Sequence, residues 1–204
     1  MTPTLCVAIP TVVGREAKFD AIWSAFQRQI EAGGLQQQVR LISAKDNKEV
    51  SLGAKRQTLY EMARKNGAVY TVQWDDDDGV ADDYCMKVLA AVESGPDCVG
   101  YLEDCVVDGV NIGKSVFSRD YPGWIEHLDP PFLGCVRVRT PFFKTPIKTD
   151  LCLRVGVADM RYAEDRDFSV RILPHLRTQV LIPEVMYLYR YETEGTHGRR
   201  YGIS

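Results

Sequence analysis

Ala68-Val69-Tyr70-Thr71-Val72-Gln73-Trp74-Asp75-Asp76-Asp77-Asp78-Gly79 joins an apolar run to four consecutive carboxylates. The β-branched and aromatic residues up to Trp74 predict a buried strand, and a helix start is expected at Asp82. Adjacent carboxylates repel one another, so gathering four of them at the end of such a strand calls for a cation. Charge runs usually sit in water, and a solvated acidic turn is the plain alternative. Position argues against it. The carboxyl end of a central strand in an open α/β sheet borders the crevice where such sheets bind ligands.

Upstream, Leu5-Cys6-Val7-Ala8-Ile9 is a continuous apolar run closed by Pro10-Thr11, as expected of a buried first strand that ends in a ligand-side loop. Phe19, Ile22, Trp23, Phe26 and Ile30 follow at helical spacing, stopped by Gly33-Gly34. Val39-Arg40-Leu41-Ile42-Ser43 reads as a second strand and Lys45-Asp46-Asn47-Lys48 as a polar loop, which predicts a parallel pair with a right-handed crossover. Ser51 can cap a second helix that carries Leu52, Leu59, Met62 and Ala63 toward the core and ends at Asn66-Gly67. Gly53, Lys55 and Arg56 lie near its start, where free N–H groups and the helix dipole favour phosphate; a solvated Lys-Arg pair is the alternative.

Downstream, a third helix is expected from Asp82 to Gly95-Pro96, completing a Rossmann-like half of alternating β and α over about residues 1–96. Residues 97–102 and 105–107 then read as short strands, Asp108-Gly109 as a hairpin turn, and 114–118 as the continuation of an antiparallel meander. Between Pro130 and Thr149 the chain carries Arg137, Arg139, Lys144 and Lys148 and no acid. This is either a wall for an anionic ligand or a loop with snorkelling cations. Glu164 and Asp165 open an amphipathic helix, where the dipole alone favours acids. Residues 179–182 and 185–191 read as two more strands, and the tail holds His197, Arg199 and Arg200.

The 204 residues, 45% hydrophobic, predict one domain with a proper core. A net charge of -3 argues against indiscriminate polyanion binding while leaving room for a local basic groove. No apolar run approaches the roughly 18–20 residues needed to cross a bilayer. Met1-Thr2-Pro3-Thr4 enters the first strand without a signal-peptide pattern, so a cytoplasmic protein is expected. The six cysteines form no C-x-x-C pair and read as buried thiols in a reducing compartment.

Taken in order, five segments give the chain, over nearly its whole length, a resemblance to family 2 glycosyltransferases with the GT-A fold. They are Val7-Ala8-Ile9-Pro10-Thr11, Ser51-Leu52-Gly53-Ala54-Lys55-Arg56, the Asp75 to Asp78 tetrad, Tyr162-Ala163-Glu164-Asp165, and the late His197. Asp129-Pro130-Pro131 ahead of the basic stretch and Glu164-Asp165-Arg166-Asp167-Phe168 look like the small phage and bacterial members. The resemblance implies an α/β GT-A fold, with a mixed central sheet flanked by helices and an acceptor-binding half over about residues 97–204. It also implies metal-dependent transfer of a sugar from a nucleoside diphosphate sugar, UDP-linked by preference, with Mn²⁺ or Mg²⁺ neutralising the leaving diphosphate.

By resemblance, Asp75 and Asp76 would lie against the nucleotide, and Asp77, Asp78 and His197 against the metal, with the register inside the tetrad open. Gly53, Lys55 and Arg56 would contact the diphosphate, and Pro10, Thr11 and Asp46 would frame the base. The family commonly closes its second strand with an acid pair, whereas here Ser43-Ala44-Lys45 displaces Asp46. Asp165, with Glu164 beside it, would be the base of an inverting transfer. Arg137, Arg139 and Lys144, together with Lys148, Arg199 and Arg200, would face the acceptor. Such cations would suit a hydroxymethylated pyrimidine in phage DNA, but the acidic overall charge counts against it, and a saccharide, protein or small molecule is the alternative. Two other readings stand beside this one. A metal-dependent nucleotidyltransferase would need a better Gly-rich loop than Pro10-Thr11-Val12-Val13-Gly14, and a non-catalytic nucleotide-sugar-binding module would keep the tetrad without needing Asp165.

Overall fold

The chain is described here by a computed structural model covering residues 4–192. Strand β1 (Leu5–Val12) has no accessible surface from Leu5 to Ile9 and pairs in parallel with β2 (Val39–Asp46) and β3 (Tyr70–Gln73). Helix α1 (Glu16–Ala32) buries Ile22, Phe26 and Ile30 and stops at Gly33. Helix α2 (Leu52–Lys65) is capped as expected, Ser51 Oγ accepting from the Ala54 N–H at 3.0 Å. Beside Leu59 and Ala63, this helix also buries Lys55, Arg56 and Tyr60. The next elements are β4 (Gly79–Val80) and α3 (Tyr84–Val92), and α3 begins two residues later than the spacing suggests.

The second half turns antiparallel at its first hairpin, where expected, but its strands are bounded differently. Strand β5 (Cys98–Val107) is continuous, with a bulge between Asp104 and Val106 that absorbs the break between its two apolar runs. Asp108-Gly109, both at positive φ, turns the chain into β6 (Val110–Phe117). The Pro-rich stretch supplies β7 (Cys135–Arg139), parallel to β6, and β8 (Ile147–Lys148), which inserts antiparallel between β3 and β5. Helices α4 (Thr149–Val155) and α5 (Glu164–Ile172) precede β9 (Gln179–Tyr191). The two expected terminal strands are one, because Pro183, which lacks an N–H, falls where the pairing with β5 skips from Leu181 to Val185.

The sheet runs β2-β1-β3-β8-β5-β6-β7, with β9 against β5 and β4. This is a mixed α/β sheet with helices packed against it, the fold class expected from the sequence. Trp74 is fully buried where the chain leaves β3, stacked on Tyr187 at 4.2 Å and edge-on to Tyr84 and Phe26. That aromatic block ties α1, α3 and β9 to the base of the tetrad and fixes its position. The six cysteines are buried and unpaired. Among the described residues, no helix is long and apolar enough to cross a membrane.

Candidate functional site

Past Trp74 the four carboxylates diverge, and each meets a cation of the protein itself. Asp75 accepts from Arg56 at 2.8 Å and lies 3.5 Å from the Lys144 ammonium. Burial works to raise its pKa, but Arg56 and Lys144 overcome that and hold it at about 2. Asp78 is turned inward to Lys144 at 3.1 Å, the Tyr187 hydroxyl and the Arg190 N–H. Burial pushes its carboxyl up to about 6 against the pull of Lys144, with Asp75 adding to the rise. Asp76, also buried, accepts from Thr11 Oγ1 at 2.6 Å and pairs with Arg15 at 2.8 Å. Burial outweighs both partners and raises its pKa. Asp77 is partly exposed and shares the same guanidinium nitrogen of Arg15. The neutralising charge that the tetrad needs therefore comes, in this arrangement, from Arg15, Arg56 and Lys144.

A depressed carboxyl stabilises the fold at pH values above its ordinary pKa of roughly 3.9, and that contribution is lost as pH falls through the folded value. For Asp75 the window runs from there down to about 2. Asp75→Asn is accordingly expected to lower the melting temperature at pH 7, with the gap to wild type closing as pH is taken from roughly 4 toward 2. Thermal unfolding across that range checks it; a gap independent of pH would mean the carboxylate is not held by Arg56 and Lys144.

The ends of β1 and β2 meet the tetrad through Thr11, whose hydroxyl holds Asp76 while its carbonyl accepts from Lys55 Nζ at 2.8 Å. Lys55 also pairs with Asp46, whose pKa, despite its burial, is drawn down by Lys55 and the Val50 N–H. Asp46 is the last residue of β2, in register with Val12, and not part of a polar loop as its sequence suggested. An acid thus closes the second strand after all. Pro10, preceding Thr11, is buried. Gly53 donates its N–H to Met160 O at 2.9 Å, and a Cβ there would lie 2.0 Å from Ala158 O. That N–H faces the 158–160 loop.

Arg56 joins the two halves of the chain. It is buried, lies 4.5 Å over the Phe143 ring, donates to Asp75 and to Gln73 at 3.4 Å, and has Nε 3.4 Å from Glu164. Glu164 opens α5 from a residue, Ala163, at φ +61°, and is itself buried, which raises its pKa against the pull of Arg56. Asp165 follows, partly exposed, its carboxylate accepting from the Arg166 N–H at 2.7 Å. The pair at the start of α5 and the tetrad are therefore neighbours, although about ninety residues separate them in sequence.

The basic stretch is distributed differently from the expected wall. Lys144 is buried inside the tetrad, between the Tyr187 and Tyr189 rings at 4.3 and 4.4 Å. Arg137 donates to the carbonyls of Ile112 and Gly113, Arg139 packs over Trp124 and pairs with Glu126, and Lys148 pairs with Asp97. His197, Arg199 and Arg200 lie outside the described residues. The sequence reading missed Arg15, Gln73, Tyr187 and Tyr189. Only Arg15 carried a signal: it is the N-cap residue of α1, where a positive charge opposes the helix dipole.

Among the described residues, no three His, Cys, Asp or Glu side chains converge so that they could hold a metal. Asp75 and Asp77 keep similar exposed faces while Asp76 and Asp78 are buried, so the first two could offer a divalent ion one or two oxygens, with the rest of its shell coming from elsewhere.

The same arrangement of strands and helices occurs in a solved protein. The fold is similar to that of S. aureus TarS. TarS 1–349 matches at a TM-score of 0.60 and 11% identity, over 92% of this chain and 60% of that one. Its complex with UDP-GlcNAc matches at 0.61 and 12%, over 95% and 60%, and its complex with UDP at 0.59 and 10%. The chain thus spans about 60% of the length of TarS 1–349. No family model matches the chain, and no curated protein sequence does.

Proposed function

We propose that the chain is a glycosyltransferase of the family 2 kind, in the compact phage and bacterial form, that moves a sugar from a UDP-sugar to an acceptor hydroxyl with inversion. The observation that carries this reading is Arg56, which pairs with both Asp75 of the tetrad and Glu164, the residue before Asp165. The TarS fold, solved with UDP and UDP-GlcNAc, supports the donor class. We read residues 1–204 as one domain, with Pro10, Thr11 and Asp46 framing the base and Lys55 fixing Thr11 and Asp46. A divalent ion, when bound, neutralises charge on the leaving diphosphate, with Asp77 as its protein ligand. Asp165 takes the proton of the acceptor hydroxyl as its oxygen attacks the anomeric carbon and the bond to the diphosphate breaks. Because Arg137, Arg139, Lys144 and Lys148 each have a partner within the protein, a saccharide, protein or small-molecule acceptor fits better than DNA.

The test offers a panel of nucleotide sugars with Mn²⁺ and measures nucleoside diphosphate release with and without candidate acceptors. Acceptor-dependent release of UDP is expected. Pyrophosphate release would make the chain a nucleotidyltransferase, and donor binding with no turnover on any acceptor would leave it a binding module.

A further inference from the structure

We propose that Arg15 is a resident cation of the tetrad that competes with a divalent ion for Asp77, so that the free protein holds the ion out and a nucleoside diphosphate lets it in. The inference rests on the donor reading above but concerns a residue that reading does not use. Arg15 sits in the loop between β1 and α1, beyond Gly14 at φ +89°, its N–H on Val12 O at 3.3 Å. As the N-cap residue of α1 it gains nothing from the helix, whose dipole repels it. Its guanidinium instead reaches across the crevice, 2.8 Å from Asp76 and in contact with Asp77.

The two acids differ in a way that makes this contact divisible. Asp76 is buried and fixed by the Thr11 hydroxyl, whereas the Asp77 side chain is 27% exposed and that of Arg15 37%. Asp76 therefore serves as an anchor, and the Asp77 contact is the one that can open. A divalent ion on Asp77 would stand beside a full positive charge that already occupies the carboxylate. A diphosphate would remove that obstacle, because two of its oxygens would give the guanidinium a bidentate partner in place of Asp77 and leave the carboxylate free. Donor and ion then bind with positive coupling through Arg15.

The test is a Mn²⁺ titration of the whole chain without nucleotide, read from the electron paramagnetic resonance signal of the free ion, for wild type, Arg15→Gln and Arg15→Lys. Arg15→Gln should bind Mn²⁺ at least about fivefold more tightly than wild type. Arg15→Lys, which keeps the charge, should stay near wild type. Adding Asp77→Asn to Arg15→Gln should cancel the gain. Equal affinity in wild type and Arg15→Gln, including no binding by either, would overturn the proposal. So would a gain that Arg15→Lys shares or that survives Asp77→Asn. No donor is present, so none of these outcomes bears on the UDP-sugar reading, which fails separately if wild type does not bind the donor.

Discussion

Arg56→Met should destabilise the protein by about 3–5 kcal/mol, the range for removing one partner of a buried ion pair. Arg56 is 4% exposed and its guanidinium compensates both Asp75 and Glu164, so its loss leaves two carboxylates in a site that desolvates them, and the cation over Phe143 goes with it. An exposed pair such as Arg64–Asp150 gives the comparison: its loss should change stability by only ~0–1 kcal/mol. Urea unfolding of the two variants at pH 7 measures the difference. The Arg56→Met deficit should shrink as pH falls and the carboxylates take up protons, Glu164 early because burial already raises its pKa. An Arg56→Met midpoint close to that of Arg64→Met would mean that Arg56 does not hold the halves together.

The second large effect is expected at Asp165. Asp165→Asn keeps the size of the side chain and an oxygen for the Arg166 N–H but cannot take a proton, so turnover should fall by ~10²–10⁴-fold, the usual worth of a general base. Because the residue is partly exposed, its stability should stay within about 0.5 kcal/mol of wild type. UDP-sugar affinity should be unchanged, which separates a proton-transfer defect from a binding defect. Glu164 is buried against Arg56 and burial raises its pKa, so Glu164→Gln, which matches the protonated form, should not lower stability at pH 7 either. Normal turnover by Asp165→Asn would remove Asp165 from the chemistry.

Several elements could be read directly because local chemistry decided them. The apolar run of β1, the Ser51 cap, the Gly33 stop and the Asp108-Gly109 turn each follow from a few adjacent residues, and the structure has all four. What pairing decides could not be read. Lys45 and Asp46 look like loop residues until β1 continues the ladder to Val12 opposite Asp46. Pro183 looks like a strand break until the skipped pairing with β5 accommodates it. β8, two residues long, exists only because β3 and β5 flank it. Lys144 shows the limit most clearly. In a stretch of cations it reads as facing outward, but Phe143 and Ile147 are buried in the core on either side of it, and Lys144 itself is buried against Asp75 and Asp78. The tetrad was found from the sequence, but the cations that balance it come from three separate segments.

Calorimetric titration of UDP with Mn²⁺ into wild type and Asp77→Ala is the most direct test of the donor site. Binding to wild type is expected, with its metal-dependent part lost in Asp77→Ala while Thr11, Asp46 and Asp75 remain in place. No binding to wild type, or an unchanged titration with Asp77→Ala, would contradict this reading of the site.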